Sequence, residues 1–160
     1  MSPGADLGRC AFGEAEQSAF GGTELEDEVA VSELMALAVT VTTGDWWREA
    51  GGPLVRVEAA RASARSSHAR SGGVGPVAIT LAAGQHDRAT LAHELAHALA
   101  GIERGHDDRF RAAEIDLVAL LAGPSAAERL AAACGAFGLA VAARSWPAPW
   151  RCTGAGFLLR

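Results

Sequence analysis

Residues 91–111 read LAHELAHALAGIERGHDDRFR, and the first half sets His93 and His97 four residues apart with Glu94 directly after the first histidine. On an α-helix, residues four apart lie one turn above each other on one face, so the two imidazoles can converge on one ion. Leu91, Leu95, Leu99 and Ile102 form an apolar stripe that points largely the other way, toward a core. Asp87 or Thr90 can cap the start of this helix and Gly101 can stop it. Glu94 sits about 100° around the helix from His93, where its carboxylate can take a proton from water at the ion. This HExxH spacing predicts an active-site helix that carries a zinc centre.

A catalytic zinc takes three protein ligands and keeps a fourth position for water. His106, Glu114 and one of Asp107 or Asp108 are the candidates for the third. With the helix stopped near Gly101, the segment Ile102–Gly105 can turn back and carry His106 to the ion, a span covered at roughly 3.3 Å per extended residue. That favours His106. Glu114 would suit a gluzincin-type site, but the spaced ExxxD of that type fails because position 118 is Val118. The metzincin pattern fails as well, since Glu103 stands where its third histidine belongs and no methionine follows the motif. Asp107 and Asp108 suit the cap and first turn of the next helix, with a hold on a ligand imidazole as the alternative role. Because neutral imidazole is the ligand, zinc affinity should fall as the pH drops below about 6.5.

Outward from this segment, Gly51, Gly52 and Pro53 break the chain, and residues 54–59 alternate apolar with charged in the manner of a half-buried strand. Residues 60–71 read as an irregular edge strand, and the more apolar run 77–82 as a central one. Upstream, a helix is predicted from Thr23 to about Thr43, its first turn carrying Glu24, Glu26, Asp27 and Glu28 against the dipole, with Trp46 and Trp47 packing behind it. Residues 1–22 predict a mobile start and a short helix over 14–20. Downstream, helices are predicted over 107–121 and 126–142, separated by Gly123 and Pro124, then an irregular tail over 145–160. The sum is an α+β, zincin-like single domain over 1–160, with a small sheet of two to four strands, the active-site helix and flanking helices.

Bulk composition supports a folded chain. At 160 residues, with 49% hydrophobic and 21% charged residues, it can bury about 70% of its unfolded surface and needs no disulfide or metal to hold a core. Cys10, Cys134 and Cys152 are odd in number and widely spaced, which is not a disulfide framework. The opening MSPGADLGRCAFGEAEQ lacks a basic segment followed by an apolar run, and the longest apolar stretch, 130–143, is too short to span a bilayer. A cytoplasmic protein without membrane attachment is expected. All fourteen basic residues are arginine, and lysine, asparagine and tyrosine are absent, a bias that points to a GC-rich genome. A net charge of −5 argues against nucleic acid as a partner. Arg56, Arg61, Arg65 and Arg70, with His68 among them, read as a solvated strand and loop, or alternatively as a positive wall that favours acidic substrate segments.

The pattern HELAH, eight residues, then His106 within GHDDRFR resembles the HExxH and GHGxxF signature of SprT-like zinc metallopeptidases. Its spacing, the chain's size and the preceding AEQ and GDWWRE segments are similar to a small actinobacterial family of uncharacterised metallohydrolases. The resemblance implies zinc held by His93, His97 and His106, Glu94 as general base and acid, and Phe110 as a buried anchor. The chain departs from it at Asp107, where the signature has glycine. The function so implied is zinc-dependent hydrolysis, most simply of a peptide or protein substrate that pairs along the edge strand. Hydrolysis of another amide or small molecule, or zinc-stabilised binding without turnover, are the alternatives. With no tyrosine to stabilise an oxyanion, His68, His86 or an arginine such as Arg65 is left for that role, His68 being preferred.

Overall fold

Val77, Ile79 and Leu81 are buried while Ala78 and Thr80 between them are half-buried, the two-residue period of a strand covered on one face and partly on the other. In the structure, a computed structural model describing residues 3–149, this strand is β3 (Val77–Leu81) and it is central. β1 (Val55–Ala59) pairs with it in parallel, Val57 opposite Ile79. β2 (His68–Arg70) pairs on the other side antiparallel, Ala69 opposite Ile79, giving the order β1-β3-β2. The edge strand expected over 60–71 thus shrinks to three residues, because a turn and bends occupy the arginine-rich stretch before it.

The described residues form six helices: α1 (Pro3–Phe20), α2 (Val31–Thr42), α3 (Asp45–Glu49), α4 (Arg88–Ala100), α5 (Asp108–Ala122) and α6 (Pro124–Ala136); α2 packs on β1 and α4 on β2 and β3. The architecture is α+β. α4 and α5 are buried almost all round and pack closely on each other. The remaining buried side chains, from Phe12 of α1 to Trp146 of the tail, join them in one continuous cluster.

Caps fix the elements that matter. Asp87 precedes α4 and its Oδ1 accepts from the Thr90 N–H at 2.7 Å. Asp107 does the same for α5, accepting from the Phe110 N–H at 2.9 Å. Gly101, at φ +115°, ends α4 as expected. Trp46 and Trp47 are buried, and the Trp47 ring lies so close on Gly52 that a Cβ there would overlap it.

Three boundaries differ from the sequence reading. The chain is helical from Pro3, so α1 is far longer than a turn over 14–20. The acidic cluster does not open α2: Glu24–Glu26 form a separate 3-10 turn capped by Thr23, and Val29 then donates to the His86 carbonyl before the helix begins at Val31. α6 stops at Ala136 rather than 142, because Gly138 takes a left-handed φ of +67° and Leu139 donates back to the Cys134 carbonyl, a Schellman closure. The apolar run beyond it continues the composition of a helix without its conformation. Residues 139–149 contain no further helix or strand longer than a turn, whereas the rest of the predicted tail, with Cys152, lies outside the described residues.

Candidate metal centre

α4 places His93 and His97 one turn apart on the same side, as the spacing requires. After Gly101 a short 3-10 turn, Ile102–Arg104, reverses the chain, and Gly105, at φ +62° and ψ −144°, aims the next residue back. His106 therefore faces α4. The three ring centroids lie 5.0, 4.8 and 5.1 Å apart, close to an equilateral triangle. One nitrogen from each ring lies within 4.8 Å of the others, and His93 Nε2 is 3.1 Å from His106 Nε2. Two nitrogens bound to one tetrahedral zinc at about 2.0–2.1 Å sit roughly 3.3 Å apart, so the three imidazoles fit the ion in type and number, and the His93–His106 pair also in spacing.

Beneath the imidazoles lies Phe110, fully buried, its ring 4.4 to 5.0 Å from all three. It anchors the turn as the resemblance implied. The loop is also held from its backbone: Arg111, almost buried, donates from Nη1 to the His106 carbonyl and from Nε to the Ala140 carbonyl, each at 2.6 Å. These are charge-assisted bonds, the stronger kind.

Glu94 is only 5% exposed, and its Oε2 has no hydrogen-bond partner among the described residues. Burial raises its pKa, partly offset by the nearby His93 and by the backbone N–H of Ala69. Ala69 lies on β2, the edge strand. His97 is pushed down to about 3, by burial and then by the charges of His93 and His106. It is neutral and ready to ligate at any ordinary pH.

Glu114 is not in the triangle. It lies behind His93, its Oε2 3.5 Å from Nδ1, the nitrogen opposite the one that faces His106. Glu16 joins it there, with Oε1 2.9 Å from the same Nδ1. Glu114 is fully buried, and neither of its oxygens has a hydrogen-bond partner of normal geometry among the described residues. Burial lowers the His93 pKa, but Glu114 and Glu16 outweigh it and hold the imidazole well above its usual range. For Glu114, burial and then the Glu16 charge push the carboxyl well up.

Asp107 and Asp108 act at the helix start. Burial would raise the Asp107 carboxyl, yet bonds from the Phe110 N–H and Arg104 lower it on balance. Asp108 accepts from the Arg109 N–H. The carboxylate on a ligand imidazole is instead Glu16, which the sequence reading did not single out. One signal was present: Glu16 stands four residues after Phe12 and four before Phe20, a carboxylate on the buried stripe of α1.

A cleft of about 380 Å³ opens beside His93 and Glu94. Its charged lining is Glu16, Glu26, Asp87 and Glu94, with no arginine. Arg56, Arg61, Arg65 and Arg70 are all exposed, so the solvated reading of that run holds and the positive wall does not form here. Arg65 lies in the loop before β2 and His68 opens β2; neither lines the cleft. His86 rests its Nε2 3.3 Å from the Leu81 carbonyl.

Compared with protein-family models, curated proteins and solved structures, the chain finds no match, so its candidate site is read from its own residues.

Proposed function

We propose that this chain is a zinc-dependent hydrolase with a zincin-like active site, acting on peptide bonds. The observation that carries the reading is the convergence of His93, His97 and His106 nitrogens within 4.8 Å beside a buried, partnerless Glu94 oxygen. Zinc, when bound, polarises a carbonyl and acidifies water. Glu94, with its raised pKa, accepts the proton of the attacking water as the new C–O bond forms. The same carboxyl then delivers that proton to the amine as the C–N bond breaks.

β2 ends the sheet, and an extended substrate can pair along its free edge. The acidic lining suits substrates with basic or neutral groups near the scissile bond and disfavours acidic ones. A cleft of about 380 Å³ is also of small-molecule size, which favours hydrolysis of a non-peptide amide as the second reading. Zinc-stabilised binding without turnover is a third. No helix of the described residues is long and apolar enough to cross a membrane, and Cys10 and Cys134 are free.

Metal analysis of the wild type and Glu94→Gln, with a proteome-derived peptide library as substrate, separates these. Zinc in both proteins, with cleavage lost by about 10²-fold or more in the variant, supports the hydrolase. Absence of zinc from both would overturn the whole scheme, whereas zinc without cleavage by the wild type would move the reading to binding.

A further inference from the structure

The hydrolytic reading uses the front of His93; the back of the same ring carries a second arrangement. An imidazole has one nitrogen that donates and one that accepts, and the partner of the first decides which nitrogen is left to bind a metal. In His93, Nδ1 lies 2.9 Å from Glu16 Oε1 and 3.5 Å from Glu114 Oε2. Nε2 lies 3.1 Å from His106 Nε2, within the triangle. The opposite tautomer would turn the Nδ1 lone pair against the Glu16 carboxylate, 2.9 Å away, and its N–H into the triangle. The Glu16 carboxylate on one side therefore selects the lone pair on the other.

Glu16 reaches this place from a distant part of the chain. It stands 77 residues before His93, on α1, whose Phe12, Ala15, Ala19 and Phe20 are buried in the core. Phe12 also packs edge-on against Phe110, 5.7 Å between ring centres, and 5.8 Å from the His106 ring. α1 thus touches both a ligand and the floor of the site.

We propose that Glu16 is a positioning residue for the metal centre: by accepting the Nδ1–H of His93 it turns Nε2 to the ion, which makes the docking of α1 and the binding of metal one coupled event. The proposal rests on His93 being a ligand. By linkage, whatever seats α1 tightens the metal, and the metal in turn seats α1.

The test uses the full chain with zinc alone, in the wild type, Glu16→Ala and Glu16→Gln. Zinc affinity is read by competition with a chromophoric chelator, and melting temperature is read with and without zinc. Glu16→Ala should weaken zinc about 10- to 100-fold, the range for partners behind a ligand. Glu16→Gln keeps a neutral acceptor and should fall between, weaker than wild type by about threefold or more. A role confined to packing α1 would lower the melting temperature equally with and without zinc and leave affinity unchanged. Should Glu16→Ala fail to fold, the glutamine variant decides by the same threshold. With cadmium-113 in place of zinc, the wild-type ion should couple to Nε2 of His93. Coupling to Nδ1, or variants within twofold of wild type, would overturn the proposal while leaving the hydrolase reading intact. A wild type that binds no zinc would overturn both.

Discussion

Raising the pH from 6.5 to 8 should keep tightening zinc binding instead of leaving it level. Three ordinary imidazoles, with pKa near 6.5, would all be neutral above about pH 7, and affinity would reach a plateau there. The structure departs from that in two opposite directions. Burial, with the charges of His93 and His106, pushes His97 down to about 3, so it gives up no proton across this range. For His93 burial also pushes down, but Glu114 and Glu16 outweigh it, and the ring stays protonated well above its usual range. A ligand that holds a proton in the metal-free protein must release it to the solvent on binding, so affinity grows with pH until His93 is itself neutral. One displaced proton makes affinity rise by up to tenfold per pH unit, about 1.4 kcal/mol, for as long as His93 keeps its proton in the metal-free protein. Chelator competition across the range gives the slope, and calorimetry in two buffers of different ionisation enthalpy gives the proton count, expected above zero at about pH 7. Glu16→Gln should move the plateau to lower pH. Affinity flat from pH 7 to 8 with no proton released would refute the idea that the two carboxylates keep His93 charged.

Elsewhere, Asp116 is fully buried and accepts from Arg144 Nε and Nη2 and from Trp146 Nε1 at 2.7 to 2.9 Å, which ties the tail to α5. Asp116→Ala should cost about 1–3 kcal/mol in urea unfolding, because the buried Trp146 N–H and the Arg144 guanidinium lose a charged acceptor; a loss under about 0.5 kcal/mol would show that the tail is held by packing alone. Gly105 adopts a conformation that L-residues resist, yet a Cβ there would meet no atom within 4 Å. Gly105→Ala should therefore cost about 1–3 kcal/mol through the backbone and weaken zinc by shifting His106, whereas unchanged zinc affinity would mean that His106 is placed by Arg111 and Phe110 instead.

The HExxH segment alone determined two candidate ligands, the candidate base and the helix that carries them, since a spacing of four and an Asp cap act within a turn or two of chain. The central place of β3, the stop at Gly101 and the start of α5 at Asp107 were legible for the same reason: alternation, a positive-φ glycine and a capping carboxylate are local signals. His106 was legible as the favoured third ligand because eight residues restrict where the chain can return. Tertiary structure decided the rest. Only the packing of α1 and α5 against α4 brings Glu16 and Glu114 behind His93, from 77 residues before it and from the following helix. Only the course of the chain before β2 leaves the arginines in solvent and lines the cleft with carboxylates. The physical reason is range: caps and periodicities are set by neighbours along the chain, whereas the charge around an imidazole is set by whichever helices the hydrophobic core draws against it.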